Sequence, residues 1–244
     1  NHDIRKEISI YDIDQIYNLA SPAAPADIKN NSLKTLETNI FGTKNILELA
    51  KKLNIPVLHT STILVFENNF TSLVSSYIEG KRVSEMLCRE YRDVRTKILR
   101  LNNVYGPNMS IYDSRVVPQF IIRSLLGEDI IIHGDGMQID FFCYVDDIID
   151  LFIKFMNSDI DDIFNVSGIS ISIIDLAKLV IKISNSRSKI QFMDSNINSK
   201  VNYSDILKLN EILDWKILTD LKSGLLSTVD YYREIITDTI KDNF

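Results

Sequence analysis

The sequence predicts an α/β fold built on a parallel sheet, and two observations support that prediction. Short apolar runs, typical of buried strands, alternate along the chain with longer runs whose apolar residues recur at the helical period of about 3.6. Hydrophobic residues make up 45% and charged residues 25% of the 244 residues, which is the balance of a chain that buries a core. Helices that alternate with strands return the chain to the start of the next strand, so the strands run parallel.

The predicted elements follow this alternation from end to end. Residues 15–20 form the first predicted strand, which stops at Ser21-Pro22, and the first long helix covers residues 36–53. The further predicted strands are residues 56–62, 96–101, 129–133, 164–166 and 191–193. The further predicted helices are residues 77–91, 119–126, 148–156, 173–183, 205–213 and 221–237. Val145-Asp146-Asp147 is the predicted cap of the helix at residues 148–156. No repeat or flexible linker interrupts the pattern, so we expect one compact body with a helix-rich C-terminal portion.

Composition and charge exclude several classes of protein. A formal net charge of −6 without a basic cluster argues against nucleic-acid binding through phosphates. No apolar run is long enough to span a membrane, and the three scattered histidines offer no metal-ligand spacing. Cys88 and Cys143 lie far apart, which favours reduced thiols in a cytoplasmic protein. Only 8 residues are glycine, which leaves little room for a glycine-rich loop that holds phosphate groups.

Tyr77 and Lys81 are the first candidates for chemistry. Four positions apart on a helix, the two side chains share one face. A free phenol has a pKa of about 10, and a nearby ammonium lowers that value because it stabilises the phenolate. Such a tyrosine can take a proton from a sugar hydroxyl. The alternative is a surface tyrosine beside a solvated lysine, and the spacing by itself favours this plainer interpretation.

Polar residues after buried strands form the other candidates, because ligands of open α/β sheets bind beyond the carboxyl ends of the strands. Ser61 and Thr62 end one predicted strand, and a hydroxyl there could bond the same substrate oxygen as Tyr77. Asn103 follows the next strand, and Arg115 could serve a phosphate group. Each has an ordinary alternative: a threonine-containing strand end, a turn, or a surface charge.

The order of these motifs along the chain is more specific than any one of them, and it resembles the extended short-chain dehydrogenase/reductase family of nucleotide-sugar enzymes. The matching motifs occupy residues 14–23, 34–39, 42–43, 77–82, 103–107, 115–117 and 142–147. Within the family, the motif Leu19-Ala20-Ser21-Pro22-Ala23 resembles the one found in the branch that decarboxylates UDP-glucuronate. The resemblance runs over almost the whole length of the chain.

This resemblance implies a Rossmann-like fold in two parts. Residues 1–104 and 139–168 would form the remaining part of the NAD-binding domain, and residues 105–138 and 169–244 a small, helix-rich cap that binds the nucleotide sugar. The implied reaction is NAD-dependent decarboxylation of UDP-glucuronate to UDP-xylose through a 4-keto intermediate, with a UDP-sugar as partner, NAD recycled and no metal. Family members dimerise through the helices around residues 45–53 and 77–91, so a cytoplasmic homodimer is expected.

The resemblance also assigns roles to individual residues. Tyr77 becomes the catalytic base, Lys81 the group that lowers its pKa and anchors the nicotinamide ribose, and Thr62 the hydroxyl partner. The residues expected along the cofactor are Asp3, Ile4, Leu19, Ser21, Thr38, Tyr77, Lys81 and Arg115. Those expected near the substrate are Ser61, Asn103 and Arg115.

The sequence departs from the family pattern at several points. Family members begin with a strand, a GxxGxxG loop and a helix that hold the pyrophosphate, and no such word occurs here. We therefore expect this chain to lack two βα units and a strand, roughly 60 to 90 residues at about 30 per unit, and to bind NAD weakly by itself. Leu64 stands where the family has an acid, Asp140 where it has an arginine, and Glu37 where the decarboxylases have a lysine.

These departures keep two alternatives open. One is an inactive or truncated relative that serves as a binding or dimerisation module. The other is an enzyme that performs 4,6-dehydration or 4-epimerisation of a different nucleotide sugar.

Overall fold

The computed structural model describes residues 2–67, 74–195 and 204–241, and its strands and helices alternate as the sequence predicts. The strands are β1 (Ile16–Asn18), β2 (Val57–Thr62), β3 (Thr96–Leu101), β4 (Asn103–Tyr105), β5 (Ile130–His133), β6 (Ile139–Tyr144), β7 (Ile163–Val166), β8 (Ile169–Ser172) and β9 (Ile190–Met193). The helices are α1 (Pro25–Asn30), α2 (Ser32–Glu37), α3 (Thr43–Leu53), α4 (Ser75–Glu90), α5 (Val116–Leu126), α6 (Val145–Met156), α7 (Ile173–Ser184), α8 (Ile206–Leu213) and α9 (Leu221–Lys241). A π-helical turn (Thr38–Gly42) joins α2 to α3, and a 3-10 turn (Ile63–Phe66) follows β2.

Contacts between residues divide the chain into two units. The first comprises Asn1–Asn102, Asp150–Val166 and Tyr203–Trp215, and the second comprises Asn103–Ile149, Ser167–Asn202 and Lys216–Phe244. The grouping places β6 in the second unit and α8 in the first, whereas the sequence assigned their residues the other way round. The limits of the two functional domains therefore stay a prediction.

The first unit contains a parallel sheet with the strand order β1-β2-β3-β7. Val57 of β2 stands opposite Ile16 of β1 on one side and Thr96 of β3 on the other. All six residues of β2 are buried, as expected of a parallel strand whose two faces are both covered. This sheet and its helices confirm the α/β, Rossmann-like class predicted from the sequence.

The second unit is built around an aromatic and aliphatic core. Its sheet has the order β4-β6-β8, in which β4 and β6 run parallel and β6 and β8 antiparallel, and β5 pairs with β9. The Tyr105 ring packs edge-on against Phe142 and Tyr144, with centroids 6.5 and 5.7 Å apart. Buried residues of α5, α7 and α9 complete this core, so the helix-rich character predicted for the C-terminal portion is present.

Some local features differ from the sequence-based expectation. The helix α1 and the strands β4, β6 and β8 were not predicted. The helix and the strands β4 and β8 are short, and each of the three strands is stabilised by pairing with a partner distant in sequence. The cap expected at residues 145–147 is wrong, since α6 already begins at Val145. The Asp147 carboxylate instead accepts hydrogen bonds from the backbone N–H groups of Leu218 and Thr219, at 3.3 and 3.1 Å.

Two further features concern the ends and the length of the helices. Among those described, α3, α7 and α8 each end on a left-handed residue that is not glycine, namely Asn54, Asn185 and Asp214, with φ of 55°, 53° and 47°. Asparagine and aspartate tolerate this conformation better than other side chains do. None of the helices in the described ranges has the combination of length and apolar character that crossing a membrane requires.

Candidate active site

The carboxyl end of β2 carries three consecutive hydroxyl side chains, and the structure buries all of them. Thr62 closes the strand, and its side-chain oxygen accepts the N–H of Leu64 at 3.3 Å, which starts the 3-10 turn. Leu64 itself lies in that turn, at the position where the family pattern has an acid. Because β1, β2 and β3 are parallel, their carboxyl ends lie at one edge of the sheet, where ligands of such folds bind.

Tyr77 and Lys81 lie one turn apart on α4, as their spacing predicts. The Lys81 Nζ is 5.9 Å from the centroid of the Tyr77 ring. The lysine is only 3% exposed, and its ammonium donates a hydrogen bond to the backbone oxygen of Thr60 at 2.6 Å. Lys81 is therefore not a solvated surface charge, and it ties α4 to β2.

Burial changes the proton affinity of this lysine. Removal from water disfavours the charged ammonium and lowers the pKa of Lys81 to about 8. Cys88 and Glu85, which lie farther along the same helix, act in the opposite direction. The ammonium thus lies much closer to its titration range at neutral pH than an exposed lysine does.

An ion pair behind the hydroxyl groups escaped the sequence analysis. Arg100 of β3 donates from Nε and Nη2 to the two oxygens of Glu85, at 2.8 and 2.5 Å. The Ser61 hydroxyl donates to Oε1 of the same carboxylate at 2.5 Å, so the structure points this predicted substrate contact towards Glu85. A signal was present, because Glu85 follows Lys81 by four residues and extends the helix face that Tyr77 begins.

Asp3, one of the residues expected along the cofactor, belongs to a charged cluster on the surface. Arg5 binds Asp3 through Nη2 at 2.6 Å and Glu37 through Nη1 at 2.7 Å. The hydrogen bonds from Arg5 hold the pKa of Asp3 well below its usual range. Glu37, which replaces a lysine of the family pattern, is thus one partner of a local cation. Ile4 packs against Gly42, where a Cβ would come within 2.4 Å of the isoleucine Cδ1.

The other predicted cofactor contacts are less constrained. Leu19 follows β1 and is 53% exposed. The Ser21 hydroxyl donates to the backbone oxygen of Pro22 at 3.2 Å, and the Thr38 hydroxyl donates to that of Lys34 at 2.7 Å. The structure therefore places these residues in the first unit without joining them into one cluster.

Asn103 and Arg115 belong to the second unit. The Asn103 Nδ2 donates to Asp140 Oδ1 at 2.8 Å and to the backbone oxygen of Phe141 at 3.0 Å. Arg115 forms a salt bridge with the buried carboxylate of Asp113, with Nη2 and Oδ2 2.6 Å apart. Both predicted ligand contacts therefore already have protein partners.

A cavity of about 510 Å³ opens in the same unit. Its lining combines apolar side chains with a few polar ones: Ser114, Val116, Gln119, Phe120, Arg123, Ile131, Ile132, His133, Gln138, Ile139, Asp140, Ile173 and Met193. Asp140 places a carboxylate at this cavity, at the position where the family pattern has an arginine. Across residues 2–67, 74–195 and 204–241, no cluster of three or more histidine, cysteine or acidic side chains could hold a metal ion.

Comparison with known proteins assigns the chain to a family. Residues 1–167 match the model of the NAD dependent epimerase/dehydratase family. The chain belongs to this family. Its predicted membership in the extended short-chain dehydrogenase/reductase group, whose cofactor is NAD, is thereby confirmed.

Curated relatives in this family are decarboxylases by name. The chain is 34% identical to UDP-glucuronic acid decarboxylase 1 of Xenopus tropicalis over 253 residues, which are 96% of this chain and 60% of the relative. It is also 34% identical to the Danio rerio protein of that name and to UDP-glucuronic acid decarboxylase 5 of Arabidopsis thaliana, covering 95% and 92% of this chain. The chain spans about 60% of the length of the frog and zebrafish relatives.

Solved structures of the family share the fold. UDP-glucose 4-epimerase from Thermotoga maritima superimposes with a TM-score of 0.82 at 26% identity, covering 91% of this chain and 78% of the other. UDP-glucuronic acid 4-epimerase from Bacillus cereus, solved with UDP-glucuronic acid and NAD, gives a TM-score of 0.81 at 26% identity over 91% of this chain and 76% of the other.

Two buried polar groups test whether the chain fits the cofactor of its family. Within the described residues, Thr60 O is the hydrogen-bond acceptor of the Lys81 ammonium, which leaves donor capacity for a ligand oxygen. Asn39 is buried on the π-helical turn against Gly80, and its Oδ1 has no partner there among those residues. A hydroxyl group of a bound dinucleotide would satisfy either group, so both fit NAD.

Proposed function

We propose that this chain carries the catalytic residues of a UDP-glucuronate decarboxylase, which forms UDP-xylose through a 4-keto intermediate. The observation that carries the proposal is the buried Lys81 ammonium beneath Tyr77, next to the carboxyl end of β2. Relatives named UDP-glucuronic acid decarboxylase align over 92% to 96% of the chain, which supports this substrate over others.

Each of the three catalytic residues has a distinct task in this proposal. Tyr77, as phenolate, takes the proton of the sugar C4 hydroxyl, and the charge of Lys81 stabilises that phenolate. Lys81 also donates to the nicotinamide ribose, and Thr62 donates to the oxygen at C4. NAD, when bound, supplies a reversible two-electron acceptor at C4. When the C5–C6 bond of the 4-keto acid breaks, carbon dioxide leaves and the electron pair stays on the enolate, which takes a proton from water at C5. Tyr77 then returns its proton to the C4 oxygen, so the protein ends the reaction unchanged.

The cavity of the second unit is suited to a nucleotide in this proposal. Its volume of about 510 Å³ lies within the range of small-molecule sites, roughly 300 to 1,000 Å³. Phe120 and Ile132 offer apolar surface for a base. Gln119 donates to the backbone oxygen of Asp113 at 2.8 Å, and Arg123 donates through Nη1 to Glu128 at 3.4 Å, so each has further N–H groups for carbonyl or phosphate oxygens. Arg115 is the further cation that we assign to a phosphate group.

Release of carbon dioxide tests the proposal directly. The protein is incubated with UDP-glucuronate labelled at C6 and with enough NAD to saturate the weak binding expected of this chain, which titration calorimetry checks. Both labelled carbon dioxide and the nucleotide-sugar mass are followed. We expect the carboxyl carbon to be lost, and Tyr77→Phe to lower the rate by about 10²- to 10⁴-fold, the contribution of a general base. Tyr91→Phe, at the end of the same helix, is the matched control and should keep the rate. Binding of NAD without release of carbon dioxide would contradict the substrate assignment.

A different reaction at the same site is the second candidate. The structures named UDP-glucose 4-epimerase and UDP-glucuronic acid 4-epimerase resemble this chain at 26% identity, and 4-epimerisation uses the same first oxidation. Product mass separates the candidates, because an epimer keeps the mass of the substrate, a 4,6-dehydratase product loses water, and only decarboxylation loses carbon dioxide. Absence of every product would favour the third reading, a binding or dimerisation module, which Leu64 and Asp140 support.

We also infer a cytoplasmic homodimer formed through α3 and α4. Apolar side chains of α4 and of the π-helical turn are exposed, namely Phe41, Val83 and Met86. A second copy would cover such surface. Sedimentation equilibrium of the protein tests the inference, and a monomer at micromolar concentration would contradict it.

A further inference from the structure

His59 is a buried histidine at the centre of the sheet that none of the proposed catalytic steps uses. It lies on β2 directly opposite Asn18 of β1 in the parallel register and is 1% exposed. Both ring nitrogens have a partner: Nδ1 is 3.1 Å from Asn18 Nδ2, and Nε2 is 2.9 Å from the hydroxyl of Ser84 on α4. The ring therefore links two neighbouring strands to the helix that carries Tyr77 and Lys81.

The partners fix where the proton of the ring sits. An amide nitrogen only donates, so Nδ1 must accept from Asn18, and a neutral imidazole then carries its proton on Nε2. That proton goes to the Ser84 oxygen, and the Ser84 hydroxyl donates in turn to the backbone oxygen of Lys81 at 2.9 Å. Burial, and then the charge of Lys81, lower the pKa of His59 well below its ordinary value, in agreement with a neutral ring.

These hydrogen bonds close into a ring. The Lys81 ammonium donates to the backbone oxygen of Thr60, and the Thr60 hydroxyl donates to the backbone oxygen of Asn18 at 3.2 Å. The ring thus runs from Asn18 through His59, Ser84, Lys81 and Thr60 back to Asn18, and all five residues are buried. Such a network is rigid when every member has a partner, because a lost partner leaves a polar group buried and unsatisfied.

We propose that His59 is a positioning residue for Lys81. Through Ser84 it fixes the backbone of α4 at Lys81 to β1 and β2, and the Lys81 ammonium is thereby held beneath Tyr77. The task given to Lys81 rests on the proposed function, whereas the position of its ammonium depends on no substrate. The titratable groups around Lys81 are Tyr77, Glu85 and Cys88 of its own helix and His59 from β2, with Arg100 of β3 neutralising Glu85.

Two variants separate positioning from general stability. His59→Leu keeps the bulk of the ring and removes both of its hydrogen bonds, so water can reach the loosened lysine. His59→Gln keeps an acceptor for Asn18 and a donor for Ser84 in one carboxamide. Leu58→Ala, on the same strand but outside the ring of hydrogen bonds, is the matched control that weakens the core alone.

The measurement is the pH titration of the Lys81 side chain in the full chain, followed by the NMR chemical shift of its Cε carbon, because no reagent then has to reach the buried amine. We expect an apparent pKa of about 8 in the unchanged protein. His59→Leu should raise it by at least one pH unit towards the ordinary lysine value, whereas His59→Gln and Leu58→Ala should leave it in place. An unchanged pKa in His59→Leu would overturn the proposal, and so would the same rise in Leu58→Ala.

Nitrogen NMR of the unchanged protein keeps the proposal testable if His59→Leu does not fold. We expect the proton of His59 on Nε2 and none on Nδ1, and a proton on Nδ1 would overturn the hydrogen-bond order. The outcome is independent of the enzymatic activity. If the carbon dioxide assay fails while Lys81 and His59 titrate as expected, the proposed function is wrong and the positioning role stands.

Discussion

The two units of this chain fill their interiors in opposite ways. The first buries a set of polar and charged side chains in and behind its sheet, among them His59, Lys81, Glu85 and Lys97. The second buries mainly aromatic and aliphatic groups, with Tyr105 packed against Phe142 and Tyr144, and its buried carboxylates, Asp113 and Asp147, each have protein partners. A polar interior costs free energy unless every group has a partner. The first unit therefore holds titratable side chains in defined positions, whereas the second provides a cavity with a well-packed apolar wall.

Removing one partner of the Glu85–Arg100 pair should have the largest effect on the first unit. Glu85→Ala leaves the Arg100 guanidinium, whose side chain is 18% exposed, without its carboxylate, and we expect the free energy of unfolding to fall by about 3 kcal/mol in urea titrations. The double variant Glu85→Leu with Arg100→Met should recover most of that loss, because no lone charge remains. A loss below about 1 kcal/mol in the single variant would show that the pair is not desolvated.

Phe142→Ala in the second unit provides the counterpart, with a similar loss of about 3–5 kcal/mol from the cavity it leaves. That loss should be independent of ionic strength, since it removes no charge. A loss that varied with salt would show that charges contribute to this interior too, and the contrast between the two interiors would be wrong.

Replacing Lys81 should stabilise the fold while it removes function. Burial of the native ammonium costs more than its hydrogen bond to the backbone oxygen of Thr60 contributes. Lys81→Met removes both, so it should raise the free energy of unfolding at pH 7 by about 1–3 kcal/mol. In the folded protein Lys81 loses its proton near pH 8, and in the unfolded chain near 10.5. Between these values the unfolded chain binds more protons, so native stability rises with pH and the gain of the variant shrinks.

Lys97→Met is the matched control for that gain. Lys97 is also fully buried, but its ammonium binds the backbone oxygen of Ser158 at 2.9 Å and Asp161 at 3.1 Å. Because these partners would be left unpaired, this variant should lose about 1–3 kcal/mol. If both variants changed the free energy of unfolding in the same direction, the number of partners of the buried ammonium would not decide the effect of removing it.

His59 should make the first unit sensitive to acid. Its pKa is lowered in the folded protein, while the unfolded chain titrates near 6.5, so below pH 6.5 the unfolded chain binds more protons. Stability that is complete above pH 6.5 should then fall by about 1 kcal/mol between pH 6.5 and 5.5. His59→Gln cannot take up this proton and should lack that part of the slope. Parallel pH profiles of the two proteins, in urea titrations at constant salt, would contradict a neutral buried ring.

The smallest effect is expected for a buried hydroxyl of the second unit. Ser124 Oγ on α5 has no hydrogen-bond partner within the described residues. Ser124→Ala removes a polar group that gains nothing from burial, so stability should stay constant or rise by up to about 1 kcal/mol. Ser84→Ala, which breaks the ring at His59, should instead lower the thermal midpoint. A clear loss in Ser124→Ala would reveal a partner for that hydroxyl.

Sequence reasoning reached the fold class and the Tyr77–Lys81 pair because both follow from local periodicity. The helical spacing of four residues brings the two side chains together whatever the rest of the chain does. It could not find Arg100 behind Glu85 or Asn18 beside His59, since those contacts depend on which strands are neighbours and in what register. The strand β4 was missed for the same reason, because its pairing with β6 is a contact of distant residues.

The asparagine and aspartate residues that end α3, α7 and α8 have a consequence for the chain before it folds. A glycine at such a position samples many more backbone conformations in the unfolded ensemble, and that freedom is lost on folding. With only 8 glycines among 244 residues, the unfolded chain has less backbone conformational entropy, so less is lost when it folds. Part of its stability is therefore decided in the disordered chain, by residues that make no exceptional contact in the folded one.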